Sequence, residues 1–347
     1  MSDGSLPHGK RTVRLGFTGD LVLGRHVTGA VRDGLPPEAM WGDLRSRMVE
    51  ADAVIGNLEG PITTHAVKWN KWKAFYFRAD PKVMNHLHVG NYRCLALANN
   101  HMVDFGSQGL FDTRRHLTEG GFAFAGAGAD PDEAMAPTTF TAGDRTIGFI
   151  SITNTVPAFA AKPDRPGTNY WKIETSAANI DRLTRQIADL RGLGTDLIVL
   201  SVHWGPNYRW WPPANYKAFA RKAIDLGIDI VHGHSAHLLQ AVEFHGKGVI
   251  LYDTGDYIDD FIVMHGLRSD YTGLFLVDIA PGQSPRVTIV PAKITFAQVH
   301  QARGRHAHAI SNYMLRRCRS FNVDMREENG ELVAVAPGRL ASAATVD

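Results

Sequence analysis

Short apolar runs recur along this chain, and most of them end on glycine, asparagine, aspartate or histidine. Val13–Thr18, "ADAVIGNLEG", Arg93–Ala98, "FAFAGAG", "RTIGFISIT", "DLIVLSVHWG" and "DIVHGHSAH" are each short and bounded by turn residues, and they read as strands. Helical spacing fills the gaps at Pro37–Glu50, Pro81–Gly90, Ser107–Glu119, Ser176–Arg191 and Ala214–Leu226, with Gly120-Gly121 and Gly227 as stops. Strand and helix in alternation constrain the chain to an α/β layered fold.

After about Leu239 the rhythm changes. "AVEFHGKGVILYDTGD" reads as a hairpin, and "TGLFLVDIA" and "RVTIVPAKI" add strands with no helix between them. These strands, some antiparallel, either close the sheet or form a partner sheet. A terminal helix is expected in "HAISNYMLRRCRSFN", and "PGRLASAATVD" reads as frayed. No repeat and no low-complexity linker interrupts the chain, so one domain is expected. It spans 13–300, preceded by a disordered tail at 1–12 and followed by a helix and frayed tail at 301–347.

Composition excludes several classes. At 347 residues, 44% hydrophobic and 21% charged, the chain is that of a globular protein with a sizeable core. A net charge of +2 and the lack of a basic stripe or recognised module argue against a nucleic-acid partner. Two cysteines, Cys94 and Cys318, give no disulfide framework, and Cys94 reads as a buried thiol. The first residues lack an apolar signal region, and no run of about 18 apolar residues occurs, so a cytoplasmic location without a membrane span is expected.

Five polar clusters follow strand-like runs: "TGD" ending at Asp20, "GNLEG" with Asn57 and Glu59, "ANNHMVD", "VHWG" with His203, and "HGHSAH" with His232, His234 and His237. Strands of a parallel sheet end on one edge, where open α/β sheets bind ligands, so all five converge. Each cluster by itself also reads as a turn cap or a packed histidine, but three histidines within six residues are costly to bury without partners. Carboxylates, an amide and imidazoles without thiolate suit Mn, Fe, Zn or Mg. So many donors suit two divalent ions, roughly 3.5–4 Å apart. In "LALANNHMVDFG", Asn100 offers a neutral carbonyl ligand and His101 reaches a leaving group or oxyanion as acid or charge stabiliser. Asp104 would fix the tautomer of that imidazole.

"FTGDLVLGR", "GNLEGPI", "LANNHMVDFGSQGLFDTRRHL", "AGAGADPDEA", "SVHWGPNY", "HGHSAHLLQAVE" and "YDTGDYIDD" stand in the order seen in the CapA family, which the chain resembles from about Arg14 to Lys293. That family groups poly-γ-glutamate capsule synthesis proteins with calcineurin-like metallophosphoesterases. The resemblance implies a four-layer αββα sandwich with a dinuclear metal site. It makes Asp20 and Glu59 carboxylate ligands, with Glu59 a possible bridge. Asn100 and His101 resemble the Asn-His pair of the metallophosphoesterase signature, and His203, His234 and His237 its later histidine ligands. Arg25 looks placed to hold an anionic substrate group.

The sequence departs from that signature in places. Val22 stands where a metal-binding histidine is usual, His234 and His237 are spaced by two residues instead of one, and Glu59 replaces an aspartate. Asp256, in "GDYIDD", is either a further carboxylate ligand or a turn cap. The expected function is a metal-dependent hydrolase of the CapA type. It would use two ions of Mn, Fe or Zn and a metal-bound hydroxide on a phosphoester or an amide such as a γ-glutamyl bond. The alternative is a non-catalytic accessory protein of poly-γ-glutamate or capsule polymer synthesis. The expected partner is a small or short-polymer anionic substrate. The loops His65–Arg78 and Asn207–Pro213, rich in aromatic residues, either receive that substrate or fold down as aromatic plugs.

Overall fold

The computed structural model describes residues 10–69, 73–260 and 266–336. Two large sheets form from them. The ten-stranded sheet runs in the order Met325–Glu328, Glu331–Val335, Arg286–Thr295, Tyr271–Ile279, Val13–Leu21, Ala53–Leu58, Tyr92–Ala96, Ala123–Ala125, with Asp256–Ile258 and Gln298–Gln301 paired at its side. The six-stranded sheet runs Val242–His245, Gly248–Leu251, Ile230–His234, Leu197–His203, Arg145–Thr153, Thr138–Ala142. Both sheets have parallel centres: Val13–Leu21 with Ala53–Leu58 and Tyr92–Ala96, and Arg145–Thr153 with Leu197–His203 and Ile230–His234.

The sheets face one another, and helices cover their outer faces. In the first sheet, alternate residues separate into two layers, as a two-residue side-chain period requires. Phe17, Ile55, Cys94, Phe275 and Val277 point into the inter-sheet core. Val54, Leu95, Leu274 and Leu276 point outward into a second core with Met40, Trp41, Leu87 and Leu110 of the covering helices. The inter-sheet core continues through the second sheet to Leu183, Ile187, Phe219 and Ala223 on the helices Ala177–Gly192 and Ala214–Leu226. The result is the αββα sandwich, and burial on both faces explains why the strands read as unbroken apolar runs. Cys94 and Cys318 are both free, buried thiols.

Three local features differ from the sequence reading. The segment 37–50 is not one helix: Pro37–Trp41 and Arg45–Val49 flank a 3₁₀ turn at Gly42–Leu44. Gly42 has φ 50° and packs so closely that a Cβ would lie 2.4 Å from the His300 ring. The C-terminal part is more than a helix and a frayed end. After the helix Arg305–Arg319, Met325–Glu328 and Glu331–Val335 form a hairpin that pairs with Arg286–Thr295. Its turn is Asn329-Gly330, both at positive φ, the pair favoured in two-residue hairpin loops. The helix itself contributes Ile310, Met314 and Cys318 to the inter-sheet core. At the other end, Lys10 and Arg11 pair with Asp196 and Asp52, so order begins before Val13. The rest of the expected N-terminal tail (1–9) and the stretch "PGRLASAATVD" lie outside the described residues.

The first strand is held on its far side by a close crossing. Asp20 N donates to Gly255 O at 3.0 Å, and a Cβ on Gly19 would lie 1.7 Å from that same oxygen. Relieving such a clash means moving backbone. Gly19→Ala is therefore expected to destabilise the protein by about 3 kcal/mol or more. Urea unfolding followed by circular dichroism measures this, and a midpoint unchanged from wild type contradicts the crossing.

Candidate metal centre

The parallel strands of both sheets end at the same end of the sandwich, and the polar clusters meet across the gap between the sheets. The first sheet brings Asp20, Asn57, Glu59, Asn99, Asn100 and His101; the second brings His203, His234 and His237. Strand register does the placing. Asp20 lies opposite Asn57 on one side and Asp256 on the other, and His203 lies opposite His234. Convergence is thus between two sheets, not along one edge. The shortest of several links across the gap is His203 Nε2, 2.6 Å from Asn100 Oδ1.

Two groups of potential ligands share one residue. Asp20, His203 and His234 form one, and Asp20, Glu59 and His237 the other; in each, the ligand atoms lie within 4.8 Å of one another. Asp20 therefore occupies the central place that the sequence reading offered to Glu59. Its Oδ1 accepts from Asn57 Nδ2 at 2.8 Å and lies 3.4 Å from His234 Nδ1. Its Oδ2 is buried and, among the described residues, accepts no hydrogen bond. The same Asn57 amide donates to Glu59 Oε2 at 3.2 Å, and Asn99 in turn donates to Asn57 Oδ1 at 3.1 Å. Val22, at the position where a further histidine ligand is usual in the related signature, is an apolar core residue.

Charge at the site is unevenly met: burial works to lower His237, but the Asp256 carboxylate outweighs it and holds that imidazole well above its usual range. Burial works to raise Asp20, yet the imidazoles of His234, His203 and His237 outweigh it and hold the carboxyl below the usual range. Burial, and after it the charge of Asp20, pushes Glu59 well above the usual range. Two carboxylates at one buried site cannot both ionise without a further cation. His203 Nδ1 and His234 Nδ1 stand 3.0 Å apart beside them. An unpartnered carboxylate oxygen, a suppressed second carboxylate and two facing imidazole nitrogens fit a divalent cation, and the hard-oxygen and imidazole donors fit Mn, Fe or Zn.

A second arrangement adjoins this one. His101 Nδ1 lies 2.6 Å from Asp104 Oδ2, and its Nε2 lies 3.8 Å from Glu59 Oε1. Its ring stacks on Phe77 at 3.8 Å between centroids, and burial lowers its pKa to about 4. Lys73 Nζ contacts Asp104, the Asn100 carbonyl and, at 3.0 Å, His101 Nδ1. Within the described part of loop 65–78, Phe77 is a buried plug, whereas Phe75 is 54% exposed. The loop 207–213 divides in the same way: Trp210 packs on Tyr313, and Trp211 is half exposed. Arg25 pairs with Asp260 and, at 3.5 Å, with Asp259, so carboxylates of the chain itself occupy the guanidinium.

A model of the family described as "Bacterial capsule synthesis protein PGA_cap" matches residues 14–261. The chain belongs to that family. It is 30% identical, over 96% of its length and 92% of the other's, to a "probable polyglutamine synthesis accessory protein" of Mycobacterium tuberculosis. It is 27% identical to the "capsule biosynthesis protein CapA" of Bacillus anthracis, over 76% of this chain and 66% of that one. Among solved structures it is similar to the sulfate thiohydrolase SoxB of Thermus thermophilus, at a TM-score of 0.40 and 12% identity, over 86% of this chain and 47% of that one.

Both groups of potential ligands fall inside the PGA_cap match, whereas the terminal helix and hairpin fall beyond it. Four residues at the site escaped the sequence reading's assignments. Asn57 bridges the two carboxylates, as described above. Asp253 is buried and takes the amides of Ala236 and Gly255 at 2.7 and 2.9 Å, which shapes the loop bearing His237. Lys73 sits on the His101–Asp104 pair, and Ser201 contacts His234. Asp256 is no turn cap: it accepts from His237 Nδ1 at 2.7 Å.

If a cation belongs between these groups, binding must raise stability. Mn²⁺ or Zn²⁺ at about 100 times its Kd is expected to raise the Tm of the metal-free protein by about 4 °C. Asp20→Asn, which touches both groups, is expected to abolish the increment. Calorimetry with and without the ion reads this, and an equal increment in the variant shows that the ion binds elsewhere.

Proposed function

We propose that the chain is a metal-dependent hydrolase of the PGA_cap family acting on an anionic phosphoester or amide substrate. The observation that carries the reading is Asp20: one buried carboxylate common to two groups of ligands, with an oxygen that accepts no hydrogen bond among the described residues. Asp20, His203 and His234 would hold one divalent ion, and Asp20, Glu59 and His237 a second. Such ions supply Lewis acidity and make water acidic enough to attack near neutral pH.

The rest is the work of the chain's own side chains. Asn100 accepts from His203 Nε2 and so turns Nδ1 of that ring toward Asp20 and His234. This orienting contact gives Asn100 a role beside the ligands instead of among them. Asp104 takes the Nδ1 proton of His101, which leaves Nε2 on the side of Glu59. Once that bare Nε2 has taken up the proton of an attacking water, His101 serves a departing group as proton donor or a developing oxyanion as hydrogen-bond partner. Lys73, in contact with both members of the pair, adds a positive charge beside a substrate anion. The Phe77 ring limits the rotation of His101 and keeps water from that face.

A second reading, an accessory protein of polymer synthesis without turnover, is favoured by the name of the 30% identical mycobacterial relative. One experiment separates the two. Purified protein is analysed for Mn, Fe and Zn, then assayed on aryl phosphate esters and γ-glutamyl peptides with the His203→Ala and His101→Ala variants. The hydrolase reading expects bound metal and turnover in wild type and loss of both in His203→Ala. In His101→Ala it expects retained metal with a fall in kcat of about 10²–10⁴-fold. Absence of metal and of turnover after reconstitution leaves the accessory reading.

A further inference from the structure

We propose that Ser201 and His232 are positioning residues that fix which nitrogen of His234 faces the metal centre; the proposal rests on the metal reading above. His232 is fully buried two residues before His234 on the same strand. Its Nε2 lies 3.1 Å from the Thr18 carbonyl and 3.2 Å from the Thr254 hydroxyl. A carbonyl oxygen only accepts, so this nitrogen carries a proton. The Thr254 hydroxyl donates to the Gly233 carbonyl at 3.2 Å, which leaves its oxygen to accept from His232 as well. None of these partners is anionic, and a buried imidazolium among neutral groups is costly, so the ring is neutral and its Nδ1 accepts.

The group 3.3 Å from that Nδ1 is the Ser201 hydroxyl. A hydroxyl holds one proton. Ser201 gives it to His232, and its oxygen must then accept from its other neighbour, His234 Nε2, at 2.9 Å. His234 is thereby protonated on Nε2, and the lone pair of Nδ1 points to His203 Nδ1 at 3.0 Å and Asp20 Oδ1 at 3.4 Å. The geometry at His203 reaches the same result separately: Asn100 takes the Nε2 proton, and Nδ1 is left bare. Two lone pairs and a carboxylate oxygen thus lie within 4.8 Å of one another. The Asn57 amide, 2.8 Å from Asp20 Oδ1 and 3.3 Å from His203 Nδ1, donates among them, consistent with a bare His203 Nδ1. The relay is built into the sheet, because Ser201 and His232 are direct partners on paired strands. Reversing the tautomer of His234 would aim an N–H at the cation.

Nitrogen-15 imidazole spectra of the full chain, recorded metal-free and through a Zn²⁺ titration, read the proton directly. The expected result is a His234 that keeps its Nε2 proton throughout, with Nδ1 the nitrogen whose signal moves as zinc binds. In Ser201→Ala the Nε2 proton is no longer fixed, and zinc affinity, measured against a chromophoric chelator, falls about 10–100-fold. Ser201→Thr, which keeps the hydroxyl, restores both. A wild-type His234 with a bare Nε2 and a proton on Nδ1 overturns the proposal. So does a Ser201→Ala protein of wild-type Tm that binds zinc as tightly as wild type. If Ser201→Ala does not fold, the wild-type spectra decide alone. A wild type that binds no zinc refutes the metal reading instead, and the metal-free spectrum still tests the relay.

Discussion

Four carboxylates, those of Asp20, Glu59, Asp253 and Asp256, are buried at one end of the sandwich, and the surrounding structure is organised by the cost of that burial. Taking an ionised carboxylate out of water costs several kcal/mol unless it is well paired. Two backbone amides offset part of that cost for Asp253, and His237 for Asp256, yet burial still pushes both carboxyls above their usual range. Asp20 and Glu59 are left to share one Asn57 amide and a set of imidazoles, with the result that Glu59 is driven toward its neutral form. A suppressed Glu59 beside an ionised Asp20 is a deficit of the sign that a bound cation corrects.

Neither sheet holds the site alone. Asp20, Glu59 and Asn100 belong to the first sheet's strand ends, and His203, His234 and His237 to the second's. The candidate centre exists only where the sheets close on one another, with Asn100 and His203 in contact across the seam. A ligand set assembled this way couples binding to tertiary packing, so ion affinity and sandwich stability draw on the same contacts. The terminal helix bears on this too. Its Ile310, Met314 and Cys318 fill the inter-sheet core although the helix lies outside the family match.

Much of this was legible in the sequence, for reasons that particular residues make plain. Ala214–Leu226 was readable to the residue because Gly227, at φ 116°, ends it. The strand ends at Asp20, Glu59, His203 and His234 were readable because polar groups interrupt apolar runs there. The division of strands between two sheets was not, since runs buried on both faces look alike whichever sheet they join. The break at Gly42 was hidden because its cause, the packing of His300, is remote in sequence. The Asn329-Gly330 turn was available as a hairpin signal and went unread. The roles of Ser201, His232 and Asp253 depend on register and loop shape, which one-dimensional pattern does not carry.

The loop after the strand Ile230–His234 shows what the fold sustains for its site. Ser235 and His237 take φ of 104° and 57°, left-handed values that non-glycine residues seldom adopt. Such conformations cost of order 1–3 kcal/mol each and persist only where the surroundings over-determine them. Here Asp253 grips the Ala236 amide from below, and Asp256 holds the His237 ring from the side. Both of those carboxylates are themselves buried at a cost. A loop selected for stability alone would relax the backbone with glycine and dispense with the acids. Strain, two buried carboxylates and an imidazole brought to 3.5 Å from Asp20 make sense together only if the placement of His237 is what the loop is for.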